Sequence, residues 1–184
     1  NGIHSRETVF SVADAKITIK AERFVSMVKE NIIALKYSVL SDKDVDITIK
    51  TGIDKNIWSI SGNHLNYVSE TGENDYLELN SETVQLKNKL KVYEKVVGLS
   101  NINNDNLLHI SNLTLKANEE FTFTKFGGIY HSESLENSEK EFKVTVDAGY
   151  EALLDEHIKA WEKIWENSDV LIEGDDEAQL ALRY

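Results

Sequence analysis

The stretch Lys16-Ile17-Thr18-Ile19-Lys20 alternates polar and apolar side chains at a period of two, so an extended strand here buries one face and wets the other. The same alternation returns in Val45-Asp46-Ile47-Thr48-Ile49, Tyr76-Leu77-Glu78-Leu79, Thr83-Val84-Gln85-Leu86, Leu113-Thr114-Leu115 and Phe121-Thr122-Phe123-Thr124. Turn formers cluster between these runs, at Ser41-Asp42-Lys43-Asp44, Ser61-Gly62-Asn63, Glu70-Thr71-Gly72-Glu73-Asn74 and Asn101 to Asn106. Many short strands at this spacing predict an antiparallel sandwich. Inside that region Phe24, Met27 and Val28 fall at helical spacing, which admits a short helix over Ala21–Glu30.

Beyond the strands the period changes. From Tyr150 to Asn167 the residues Leu153, Leu154, Ile158, Trp161, Ile164 and Trp165 form one stripe, the signature of an amphipathic helix. Two tryptophans on that stripe require a large apolar cover, from the sandwich or from a second chain. After Val170-Leu171-Ile172 and Gly174, Asp175 is placed as an N-cap for a further helix opening with Asp176 and Glu177. That helix meets the end of the sequence at Tyr184 without a capping glycine, and the sequence lacks an initiator methionine, so it is expected to be a piece of a longer protein. Between the two regions Glu139–Ala148 reads both ways: Phe142, Val144 and Val146 alternate as in a strand, while Phe142, Val146 and Tyr150 share a helical face.

The 184 residues carry 20 basic and 32 acidic side chains and no cysteine or proline. Without cysteine there is no disulfide framework, thiolate nucleophile or thiol switch. A pI near 4.9 argues against nucleic acid and anionic membranes, whose recognition rests on Lys and Arg. No apolar run is long enough to span a bilayer and no signal peptide opens the chain, so a soluble cytoplasmic protein is expected. The charge is uneven. Residues 1–132 hold 15 basic and 17 acidic side chains, whereas residues 133–184 hold 5 and 15.

Most motifs fail on inspection. Asp42, Asp44 and Asp46 open like a calcium loop, but Ile47 and Ile53 occupy the positions of its glycine and glutamate. Gly127-Gly128 has no Lys-Ser/Thr downstream for a phosphate cradle and reads as a bend or bulge. His4, His64, His109, His131 and His157 lack metal-ligand spacing, so no metal site is expected. His157, beside the Leu154/Trp161 stripe, reads as a packed, hydrogen-bonded residue.

Several stretches taken together resemble the N-terminal region of family 65 glycoside hydrolases, the group of maltose, trehalose and kojibiose phosphorylases. They are Ala21-Glu22-Arg23-Phe24-Val25-Ser26-Met27, Thr51-Gly52-Ile53-Asp54 with Trp58, and Gly62-Asn63-His64-Leu65. The tail adds Gly149 through Trp161, Trp165, Ser168-Asp169-Val170, and Ile172-Glu173-Gly174-Asp175 with Ala178-Gln179. The resemblance covers nearly the whole chain in order. Lys55, Asn56 and Asn63 depart from the residues that family members tend to carry at those places.

The resemblance implies a mainly β fold: an antiparallel, galactose-mutarotase-like super-sandwich over 1–137, a helical linker over 138–167, and the start of a truncated (α/α)6 catalytic barrel over 168–184. It also favours helix for Glu139–Ala148. In such enzymes a barrel carboxylic acid protonates the glycosidic oxygen while inorganic phosphate attacks the opposite face of the sugar with inversion. No residue here has a counterpart to that acid, so no catalytic residue and no cofactor are expected. The implied partners are the barrel of the same parent chain, an α-linked disaccharide with inorganic phosphate, and a second copy in a homodimer. Trp58 is the candidate stacking surface for a sugar, with Asn63 and His64 as hydrogen-bond partners; alternatively Trp58 fills the core and His64 caps a turn. Trp161 and Trp165 are expected to pack between sandwich and barrel. The rival from another class is a stand-alone sugar-binding or mutarotase-like sandwich.

Overall fold

The computed structural model describes residues 2–56, 60–73 and 75–183. Ten strands come first: β1 (His4–Val12), β2 (Ala15–Val25), β3 (Ile32–Ser41), β4 (Val45–Gly52), β5 (Leu65–Glu73), β6 (Tyr76–Thr83), β7 (Lys89–Val97), β8 (Ile102–Asp105), β9 (Leu108–Leu115) and β10 (Phe121–His131). A single 3-10 turn, Ser132–Leu135, leads to helices α1 (Ser138–Ala148), α2 (Tyr150–Ser168) and α3 (Asp176–Arg183). The strands form a seven-stranded sheet, ordered β1-β2-β3-β10-β7-β6-β5, and a three-stranded sheet, β4-β9-β8, with antiparallel ladders throughout. The mainly β antiparallel sandwich expected from the alternation, followed by C-terminal helices, is the observed architecture.

The larger sheet is covered on both faces. Side chains alternate across it, so in β7 Tyr93 points to the helices while Glu94 points to the smaller sheet. On the helix side Phe24, Ile32, Ala34, Tyr93, Phe126 and Tyr130 meet Phe142, Val146, Tyr150 and Leu153 in one buried cluster. On the other side Leu77 and Leu79 meet Leu107. The central strands therefore carry apolar residues at successive positions, as Ile32-Ile33-Ala34-Leu35 does, and show no clean alternation.

Glu139–Ala148 is helical because its Phe142/Val146 face meets an aromatic floor. The Phe142 ring stacks on Tyr93 at 5.3 Å between centroids. Beneath it lies Gly128, where a Cβ would come within 2.7 Å of the Phe142 ring and 2.9 Å of the Tyr130 ring. Gly127-Gly128 is thus not a bend or bulge: both residues keep regular register with β3 and β7, and the missing side chain makes room for Phe142. Gly149, at φ 88° and ψ 168°, separates α1 from α2 in a conformation open essentially to glycine alone.

Four other local expectations are corrected. The segment proposed as a helix over Ala21–Glu30 is the end of β2 followed by a turn. The Ser26 hydroxyl accepts the Val28 and Lys29 amides, and the Ser26 amide bonds Ile32 O, which closes the connection to β3. Only the start of Thr83–Leu86 is strand; the rest turns, with the Thr83 hydroxyl accepting the Asn88 amide. Glu70–Glu73 lies within β5 and Asn103 within β8, because pairing partners outweigh the turn preference of their residues. Asparagine keeps its turn role at Asn101 and Asn106, both at positive φ and flanking β8.

Replacing Phe142 with alanine should cost about 3–5 kcal/mol and Gly128→Ala about 1–3 kcal/mol, read from urea midpoints at unchanged slope. The same cluster has a pH signature. Desolvation pushes the Tyr150 phenol up to about 12 and holds those of Tyr76 and Tyr130 above their ordinary range. The unfolded chain ionises these phenols near pH ~10, so their stabilisation is whole below that pH and falls as pH rises through the folded values. Phenolate absorbance should rise in two steps, the second coinciding with loss of the far-ultraviolet dichroism.

Candidate functional site

The segment 54–65 leaves β4 and returns at β5. Asp54 accepts the Asn56 amide at 2.8 Å, a local turn made by the side chain itself. Lys55 pairs with Glu70 at 2.5 Å and its carbonyl accepts the Tyr67 hydroxyl, so Lys55, one of the places where the chain departs from the family pattern, is pinned against β5. This end of the segment lines a cleft with Asp105, Asn106, Leu107 and Leu108. Trp58 lies outside the described residues. Asn63 spends its side-chain carbonyl on the Leu65 amide at 3.2 Å. His64 is exposed, its carbonyl accepts the Val84 amide, and it borders a different cleft with Thr83, Val84, Leu86 and Asn88. The two described ends of the segment thus open on separate surfaces.

A second polar group lies between the sheets, and nothing in the sequence singled it out. Glu94 of β7 is buried and pairs with Lys125 of β10 at 2.8 Å. Thr51 of β4 donates to Glu94 at 3.1 Å and accepts from the Lys125 ammonium at 2.8 Å, while Gly52 O lies 3.4 Å from the same nitrogen. The pair is therefore solvated by the opposite sheet. Its only trace in the sequence is an acid inside the apolar series Val92, Glu94, Val96, which without a known register cannot be matched to Lys125. The buried His109, beside Thr51 in the ladder, bonds Asn104 at 2.8 Å through Nδ1.

The third group joins α2 to the sheet edge. His157 is buried against Phe24, with ring centroids 4.6 Å apart, and its Nδ1 accepts the Met27 amide at 3.2 Å. Trp161 follows one turn later, with Trp165 stacked on it at 6.5 Å, and Gly2 crosses so close to the indole that a Cβ there would lie 2.6 Å from Nε1. Trp161 is thus covered by the start of the chain. Past α2, Gln179 accepts the Ile172 amide at 2.7 Å and donates to Val170 O at 3.0 Å, and Arg183 holds Asp169 with two bonds, one at 3.0 Å. The Asp175 side chain caps α3 through the Ala178 amide, as its sequence position suggested. Among the described residues no three His, Cys, Asp or Glu side chains gather to hold a metal ion. No described helix is long and apolar enough to cross a membrane.

These local ties involve the residues that carried the resemblance, and comparison with known families decides their meaning. Residues 1–164 match the N-terminal domain of glycosyl hydrolase family 65. The chain belongs to that family. Nigerose phosphorylase of Lachnoclostridium phytofermentans is 32% identical over the whole chain and 1,2-alpha-glucosylglycerol phosphorylase of Bacillus selenitireducens 31% identical over 92% of it. A solved structure from the human microbiome, assigned as a kojibiose phosphorylase, superposes on 99% of the chain with a TM-score of 0.87 at 23% identity, a likeness of fold. The chain spans 29% and 23% of the two enzymes and 26% of the solved chain. In this family 65 domain, then, Ser26 and Met27 close the turn that receives His157, Gly149 breaks α1 from α2, and Gln179 ties the last helix to the residues before it.

The Glu94–Lys125 pair gives a clean test of how the two sheets are joined. Lys125→Met strands a buried carboxylate and should cost about 3–5 kcal/mol in urea unfolding. Combining it with Glu94→Leu should recover most of that loss.

Proposed function

We propose that this chain is a non-catalytic part of an inverting α-glucoside phosphorylase, the N-terminal domain that supports the catalytic barrel and the oligomer. The parent enzyme cleaves an α-linked glucose disaccharide with inorganic phosphate, in the cytoplasm. The observation that carries this reading is the match of residues 1–164 to the family 65 N-terminal domain, together with relatives of 31–32% identity that are phosphorylases of far greater length. Residues 1–137 are the sandwich, 138–167 the helical linker, and 168–184 the start of the barrel.

The chemistry divides accordingly. A carboxylic acid of the barrel delivers the proton to the glycosidic oxygen, and phosphate takes the place of the water that an inverting hydrolase would activate. This chain's part is positioning. Leu171, Leu180 and Leu182 are 76%, 60% and 55% exposed, an apolar surface suited to cover by the barrel, and Trp161 and Trp165 brace α2 between the two domains. Once the barrel completes the site, the 54–65 segment adds Trp58 as a stacking face for sugar, with His64 and Asn63 as hydrogen-bond partners; these contacts do not hold sugar on the isolated chain. No cofactor or metal takes part in this reading.

Two measurements test it. The purified 184-residue chain should release no glucose phosphate from any α-linked glucose disaccharide supplied with phosphate; detectable phosphorolysis would sink the non-catalytic assignment. Calorimetric titration with glucose and α-linked disaccharides should give no heat, whereas saturable millimolar binding would mark a sandwich that recognises sugar by itself.

A further inference from the structure

We propose that the cleft between residues 52–56 and the β8–β9 hairpin is the subsite for the acceptor sugar, the half of the disaccharide that leaves with the proton, and that Asp105 and Asn106 are its hydrogen-bonding residues. This rests on the phosphorylase reading above and names which part of the substrate this chain holds once the barrel completes the site.

The cleft has a volume of 460 Å³, within the range of small-molecule sites. Two glycines build it. Gly52 passes so close to the hairpin that a Cβ there would lie 2.1 Å from Leu107 O, and the Ile53 amide bonds that same oxygen at 3.0 Å. A Cβ on Gly72 of β5 would likewise lie 2.9 Å from Asn106 O. The hairpin tip, with Asn106 at φ 54°, is thus held against the end of β4 and against β5 by close approach of backbones. A site framed in this way keeps its side chains placed before any ligand arrives.

The lining suits a neutral polyol. Leu108 is 41% exposed, beside Ile53, and offers an apolar surface to the C–H face of a sugar ring. Asp105 and Asn106 are exposed at the same cleft, and the Asn106 amide donates to Asp105 at 3.1 Å. That bond orients the pair and leaves a carboxylate oxygen and the amide carbonyl to accept from sugar hydroxyls. With Asp54 also in the wall, like charge repels phosphate, so the phosphate half of the reaction lies elsewhere. In the barrel the acid and the phosphate work on opposite faces of the glucosyl unit, and the part of the substrate free to reach a second domain is the acceptor. The wall also holds Lys55 and Asn56, two places where the chain departs from the family pattern, as a surface that sets the choice of acceptor does.

The reaction run backwards isolates the acceptor: the anomeric carbon of β-glucose 1-phosphate bonds to a glucose hydroxyl, phosphate leaves, and each substrate has its own KM. In the full-length parent enzyme Asp105→Ala should raise the KM for glucose about tenfold, the size of one lost hydrogen bond to a charged group, with the KM for β-glucose 1-phosphate unchanged. Asp105→Asn should recover part of that loss. Asn106→Gly, which keeps the positive φ, should raise the glucose KM in the same selective way. Both positions are exposed, so the 184-residue chain carrying either change should keep its far-ultraviolet dichroism and its urea midpoint. Folded variants whose glucose KM stays within about twofold of the parent's, or whose two KM values rise together, overturn the subsite and leave the phosphorylase reading standing. A parent enzyme that forms no disaccharide from β-glucose 1-phosphate and any sugar overturns that reading, and the subsite with it.

Discussion

Phe142 rests on the backbone of Gly128, and the arrangement of the molecule depends on that contact. A side chain at residue 128 would overlap the phenyl ring; without the ring, Tyr93 and Tyr76 would lose an aromatic neighbour, Tyr93 the one stacked on it. The contact fixes α1 over β10 and β7. Gly149 then turns the chain, and α2 lies over β3 with Leu153 and His157 buried and Lys36 paired to Glu151. The helices are a layer of the fold in their own right. They complete the larger sheet on one face as the three-stranded sheet does on the other.

This placement decides where the charge of α1 and α2 can lie. The inward face of α1 and α2 is spent on aromatic and aliphatic contacts, so the charged residues are confined to the outward face, where Glu139–Lys143 and Asp155–Lys159 form exposed pairs of small energetic value. The stronger electrostatic element is hidden. Glu94 and Lys125 share Thr51 across the sandwich, and a buried pair solvated in this way favours one register of the two sheets over its neighbours. Under the proposed positioning role a rigid body is the useful property, since a domain that positions another must not itself slide.

Much of this was legible in the residues. Alternation at Lys16–Lys20, Val45–Ile49 and Phe121–Thr124 marks true strands because each has one wetter face. It is silent at Ile32–Leu35 and along β7, which are covered on both faces and so lack a polar side to alternate with. It misleads at Thr83–Leu86, where a hydroxyl and an amide serve a turn. Phe24, Met27 and Val28 imitate a helix because a strand ends among them and a serine-closed turn begins. The stripe from Leu153 to Trp165 was readable as a helix, but its partner was not: His157 meets Met27, 130 residues earlier, through a hydrogen bond that depends on the completed sheet. Glu94 and Lys125 were illegible for the same reason. The candidate sugar contacts rested on resemblance, and of these the structure describes Asn63 and His64 as surface residues at the start of β5, with Asn63 engaged in its own turn.

The central claim is that α1 and the first half of α2 belong to the sandwich core. Native-state hydrogen exchange tests it most directly, by comparing amides of Phe142, Val146 and Leu153 with those of Ala34, Tyr93 and Phe126. The account predicts that both sets exchange only through global unfolding, with the same free energy and the same urea dependence. Helical amides that exchange by local opening while the strands stay protected would contradict it.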